Sequence, residues 1–139
     1  MDRSIREMLE ADETELTLRL ADVEKILQRR YGKSGTLKGA KPDLAVLQRA
    51  LDDRVKDLMR PAGIQNMGLA VGNVLANELG LRWVMAEDEY GSDPALQNPG
   101  DGAVFFPELL MESIEDGEKV DLSDLFRRFQ RDLHRAVAS

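Results

Sequence analysis

The sequence contains no cysteine and a single histidine, His134, among its 139 residues. The first absence removes disulfides, thiolate nucleophiles, zinc–thiolate sites and iron–sulfur clusters; the second removes sites built on several imidazoles. Aromatic residues are scarce at 5%, with one tryptophan, Trp83. No apolar run approaches the roughly 20 residues a membrane-spanning helix needs, and Met1-Asp2-Arg3-Ser4-Ile5-Arg6 leads into charge rather than into an apolar leader. The expectation is a cytoplasmic protein with no membrane partner. An excess of positive charge is lacking too: 26 acids against 19 bases leave a net charge of −7, the wrong sign for a general nucleic-acid binder.

What is present suits one domain over residues 1–139, long enough to bury roughly two thirds of its unfolded surface. The charge is bipolar. Residues 25–42 carry Lys25, Arg29, Arg30, Lys33, Lys38 and Lys41 with no acid, interleaved with Gly32, Ser34, Gly35, Thr36 and Gly39, and read as a basic, flexible connector centred on 32–41. Residues 78–124 hold 13 acids against only Arg82 and Lys119. A basic end and an acidic end follow.

Apolar spacing supplies the elements. Leu16, Leu20, Val23, Leu27 and Tyr31 recur at intervals of three and four, predicting a helix over 13–31 with Asp12 as N-cap and Gly32 past its end. Leu16, Leu18 and Leu20 alternate as a short strand would, but the helical period persists for two further turns. A second helix is expected from Pro42, with Leu44, Leu47, Leu51, Val55, Leu58 and Met59 on one face until Pro61 stops it. A third spans 64–79, ended by Gly80, with Gly68, Gly72 and Ala76 forming a smooth stripe on which another backbone approaches closely. Leu81–Ala86 and Ala103–Phe106 read as strands around a turn, with a weak middle strand over 93–97. Trp83 is expected in the core. A short helix over 108–114 follows, and a last helix starts at Asp121 or Ser123 with Leu125, Phe126, Phe129, Leu133 and Val137 on its face. The class predicted is α+β: N-terminal helices, a small antiparallel β-sheet and a C-terminal helix.

Three strings invite chemistry. Gly32-Lys33-Ser34-Gly35-Thr36 suggests a phosphate-binding loop, but that loop needs a glycine five residues earlier, where Leu27 stands, and a preceding strand where a helix is read. Glu87, Asp88 and Glu89, with Asp93 and Asp101, offer carboxylates without the alternating spacing of a calcium loop, and acids at a turn are most often simply solvated. His134 lies among charged neighbours with no evident nucleophile, the ordinary setting of a surface histidine.

The run Leu79-Gly80-Leu81-Arg82-Trp83-Val84, followed by Glu87-Asp88-Glu89-Tyr90-Gly91, Asp93-Pro94-Ala95-Leu96 and Phe106-Pro107, resembles the bacterial family known as domain of unknown function 3806. Tyr31-Gly32, Leu47-Gln48-Arg49-Ala50-Leu51-Asp52 and Met67-Gly68-Leu69-Ala70-Val71-Gly72 extend the likeness over about 25–130. The resemblance implies helices preceding a hairpin-like sheet in a small bacterial cytoplasmic protein, and brings no activity with it.

The charge layout favours a protein-interaction module of the immunity, chaperone or adaptor kind, without catalytic activity, metal or cofactor. It would offer Glu87, Asp88, Glu89, Tyr90 and Asp93 to a basic protein partner. Two other readings stand beside it: a homo-oligomer in which the basic connector of one subunit meets the acidic face of another, and a metal-assisted hydrolase built on Asp88, Glu89 and Asp93.

Overall fold

Between Pro61 and Leu79 the chain is apolar almost all round, a pattern that belongs to a helix enclosed by others. The structure, a computed structural model, describes residues 4–108 and 119–138, with side chains described as far as Leu133. In chain order it contains β1 (Ser4–Glu7), α1 (Glu10–Tyr31), α2 (Asp43–Asp52), α3 (Pro61–Leu79), β2 (Arg82–Asp88), β3 (Gly91–Gln97), β4 (Val104–Phe105) and α4 (Leu122–Ala138). The helices and the antiparallel sheet make the α+β architecture that the apolar spacing predicts. The helix α3 lies at its centre: Met67, Leu69, Val74 and Leu75 are fully buried, and Val23 and Leu27 of α1, Leu47 of α2 and Leu122 and Phe126 of α4 close around it. Burying one such side chain contributes about 1.5–3 kcal/mol.

Helix α1 begins three residues before the expected start. Leu9 is its N-cap, and Asp12 sits in the first turn, where its carboxylate accepts the Leu9 N–H at 2.9 Å. An acid there pairs with the exposed amides and the positive end of the helix dipole. Helix α2 is shorter than expected. It ends at Asp52, Arg54 follows at φ 49°, and a 3-10 turn over Lys56–Leu58 leads into α3. Pro61 therefore opens α3 at its first turn rather than stopping α2, a position where its missing N–H costs nothing. Gly80 closes α3 in the left-handed conformation, φ 70°. Asp121 caps α4, accepting the Asp124 N–H at 3.0 Å. The short helix expected over 108–114 falls largely on residues outside the described ones, as do the side chains of His134 and Val137.

The connector expected at 32–41 is hydrogen-bonded to its surroundings. Gly32–Gly35 forms a 3-10 turn, and the backbone beyond it is tied down by carboxylates on three helices. Leu37 N–H donates to Glu24 at 2.8 Å, Gly39 N–H to Asp43 at 2.7 Å and Lys41 N–H to Glu78 at 3.1 Å, while Asn77 donates to the Gly39 carbonyl at 2.7 Å. Basic, glycine-containing sequence is here an anchored loop because its amides have acid partners.

The sheet order is β1-β2-β3-β4, antiparallel throughout. Register places Trp83, Met85 and Glu87 opposite Leu96, Pro94 and Ser92, so these share one face; Val84 and Ala86, opposite Ala95 and Asp93, share the other. Trp83 donates to Asn73 of α3 at 3.2 Å, which makes its face the helix-facing one. Trp83 is half-buried and packed against the main core, while Val84, Ala86 and Ala95 form a second, smaller cluster on the outer face with Val104 and Phe106.

Candidate functional site

The acidic segment of the sequence becomes a hairpin. Strands β2 and β3 pair from Arg82↔Gln97 to Asp88↔Gly91, leaving only Glu89 and Tyr90 as the connecting loop. Asp88 accepts the Tyr90 N–H at 2.8 Å, an Asx turn, and Gly91 carries the φ of 141° that a side chain would resist. Strand propensity alone gives a weaker β3 over 93–97, because Asp93 and Pro94 disfavour strands. Pro94 is tolerated since β4 pairs only with Leu96 and Gln97, leaving the Pro94 side of β3 without a ladder.

Alternation divides the five expected residues. Asp88 and Asp93 belong to the outer face, Glu89 and Tyr90 to the tip, and Glu87 to the helix-facing side. Tyr90 is 86% exposed, well above the other exposed large hydrophobics Leu9, Leu18 and Ile5. Ile5 of β1 pairs with Ala86, which pairs in turn with Asp93, so an apolar side chain and two acids lie together on the outer face beside the tip.

Glu87 has a different task. Arg6 of β1 donates its Nε–H to Glu87 and an Nη1–H to Asp12 at 2.7 Å, and Ser92 donates to Glu87 at 3.2 Å. One guanidinium thus joins the edge strand, the start of α1 and the hairpin. No periodicity marks Arg6 in the sequence, and its partners lie six and 81 residues away. The Arg6 hydrogen bond holds the Asp12 carboxyl below the usual range, helped by the Leu9 amide; it does the same for Glu87, and the two carboxylates raise Arg6 in turn. A carboxyl depressed on folding contributes stability that is complete above its unfolded value, about 4, and is lost as pH falls through the folded value. The parent is therefore expected to exceed Arg6→Gln in urea midpoint by its full margin at about pH 6 and by a smaller one at about pH 2.5. A margin that does not change between the two would contradict the assignment.

Beneath the half of the hairpin nearest its turn a cleft of about 470 Å³ opens between α1, α3 and β3, with Leu16, Met85 and Pro94 among its apolar walls. Of its charged lining, Asp12, Arg19 and Glu108 are paired within the chain, and Glu15 and Asp93 line it as well. Arg19 donates to Asn66 at 2.7 Å and to Glu108 at 2.8 Å, and Asp12 is held by Arg6. Among the described residues no group of three or more His, Asp or Glu side chains is arranged to hold a metal ion. The Gly32-Lys33-Ser34 string follows a helix and forms a 3-10 turn, without the strand a phosphate loop requires. Among the described residues no helix is long and apolar enough to cross a membrane.

Residues 43–126 match the family model described as Domain of unknown function (DUF3806). No curated protein matches. A crystal structure from Bacteroides thetaiotaomicron VPI-5482, at 1.50 Å resolution, is similar with a TM-score of 0.79 at 16% identity, over 91% of this chain and 47% of that one. At that identity the likeness concerns the fold alone, and this chain spans about half the length of that structure.

Proposed function

Since this chain belongs to the family of the domain of unknown function 3806, whose description assigns no function, we propose from its own geometry that it is a protein-interaction module working through the β2–β3 hairpin. The observation that supports this most is Tyr90, 86% exposed on a two-residue loop, with Glu89 beside it and Asp88 and Asp93 on the adjoining face. Tyrosine is a frequent interface anchor because it brings a large, rigid, amphipathic surface at small entropic cost, and the surrounding acids favour a basic partner by raising its association rate. Glu87, engaged by Arg6 and Ser92 while β1 is paired, supports the hairpin. In this reading the chain needs no cofactor and performs no catalysis.

The test spares the residues that hold the hairpin together. A Glu89→Lys/Tyr90→Ala/Asp93→Lys chain should fold like the parent, because exposed substitutions change stability by about 0.5 kcal/mol or less each. Used as bait in parallel with the parent, it should fail to retain a partner that the parent captures. Against that purified partner, association should slow on the order of tenfold at low salt, and the rate should lose most of its salt dependence. Capture and rates equal to the parent's would make the hairpin acids a solubility device.

A further inference from the structure

Strand β1 is attached differently from the rest of the sheet. None of Ser4–Glu7 belongs to either buried cluster, and Ile5, its one large apolar side chain, is 39% exposed. It pairs on one side only, with Val84–Glu87 of β2, and joins α1 through Met8 and Leu9. The side-chain contacts that hold it are charged: Arg6 to Asp12 of α1 and Glu87 of β2, and at the other end a longer, exposed contact of Glu7 with Arg82 at 3.9 Å. On β3, Ser92 reaches the same Glu87 carboxylate. A strand without core side chains opens at a cost set by its ladder hydrogen bonds and its ion pairs, whatever the stability of the core beneath.

We propose that β1 is a latch pinned by Arg6, which opens as its own unit and in opening turns Glu87 from a partner of Arg6 into a further acid of the hairpin. The second half rests on the hairpin being the interaction surface; the first half does not. With β1 closed, one guanidinium is shared by Glu87 and Asp12 and offsets one of their two negative charges. With β1 open, Glu87 keeps only the Ser92 hydroxyl, the β2 edge from Val84 to Glu87 loses its neighbour, and the hairpin gains one unmatched negative charge. Attachment of β1 would then set both the charge and the rigidity of the surface offered to a basic partner.

Amide hydrogen exchange on the full chain near neutral pH tests this without any partner. The β1 amides and the β2 amides facing them should exchange at least about tenfold faster than those of the β2–β3 ladder and of α3. Raising salt from about 50 mM to about 0.5 M should accelerate the β1 set selectively. In Arg6→Gln the β1 set should accelerate on the order of tenfold with α3 unchanged, its salt response should shrink to what the exposed Glu7–Arg82 contact leaves, and the Glu87 carboxyl should titrate in the ordinary range. Exchange of β1 at the same rate as α3, or a salt response undiminished in Arg6→Gln, would overturn the latch. Should Arg6→Gln fail to fold, the parent's salt series decides alone: a β1 rate indifferent to salt refutes it. Loss of the hairpin reading would leave the exchange result standing, so the two fail separately.

Discussion

Gly68→Ala is expected to lower stability by about 1–3 kcal/mol although alanine is the better helix former by about 1 kcal/mol. The local preference and the packing point in opposite directions, and distance decides between them. A Cβ on Gly68 would lie 2.4 Å from the Pro107 carbonyl oxygen, 3.1 Å from its carbon and 3.2 Å from the Glu108 Cα. All three are backbone atoms, so relief requires the segment after β4 to move rather than a side chain to turn. That segment is held by the contact of Glu108 with Arg19 at 2.8 Å. One turn on, a Cβ at Gly72 meets the Pro107 ring at 2.7 Å and the Trp83 ring at 3.2 Å, so Gly72→Leu should disrupt the fold more than Gly32→Leu, where nothing lies within 4 Å and only the positive φ of 64° resists a side chain. Melting temperatures check both. At this chain length 1 kcal/mol corresponds to roughly 3–5 °C, so Gly68→Ala should melt several degrees below the parent. A variant that melts with the parent or above it would remove Pro107 from the glycine stripe.

Asp43→Ala should cost about 2–4 kcal/mol and release the loop between α1 and α2. Asp43 is 4% exposed, and its carboxylate accepts the N–H of Lys38 at 2.9 Å and of Gly39 at 2.7 Å. Truncation leaves two amides without a charged acceptor in a place that water reaches poorly, and each such loss costs about 1–3 kcal/mol. The loop carries Lys38 before Gly39, so brief trypsin treatment of the folded variant should cut after Lys38 while the parent resists; Lys41 precedes Pro42 and is not a tryptic site. Asp43→Asn, which keeps one acceptor oxygen, should fall between the two. Equal trypsin resistance in Asp43→Ala and the parent would place the anchoring of this loop on Glu24, Asn77 and Glu78 instead.

The helices were legible where burial and helical period coincide, as they do for Leu16, Val23 and Leu27 or for Phe126, while Leu122, fully buried at the start of α4, was not on the expected face. Where apolar spacing runs on past the end of a helix the reading overran. Leu58 is buried and spaced as α2 would have it, yet the chain reaches it by a left-handed Arg54 and a 3-10 turn. A row of apolar positions records what must be covered, not the path that covers it. The glycine stripe was legible because its spacing is geometric; its occupant, Pro107, lies 35 residues beyond Gly72 and left no local sign. Strand β1 offers one apolar residue in four, so its only warrant is the β2 edge it pairs with. The hairpin acids were found as a group, but pairing register, invisible along the chain, separates Glu87 from Asp88 and Asp93. The connector's anchors were hidden for a related reason: glycine and lysine describe what a loop permits, while its hydrogen-bond partners Asp43, Glu24 and Glu78 lie outside it.

The position of α3 bears on what a fragment of this chain can be. Its wall toward α1 is closed by Val23 and Leu27, and the outer side of β2 by Ser4–Glu7, all of which lie before residue 43, where the family match begins. The stretch that sequence comparison recognises is thus smaller than the body that buries its central helix. A chain trimmed to 43–126 would present an uncovered flank of α3 and a bare β2 edge side by side, an adhesive surface where the longer chain has a finished one. Boundaries drawn by resemblance and boundaries drawn by burial differ here by β1, α1 and most of α4, and an expression strategy for any relative should follow the second.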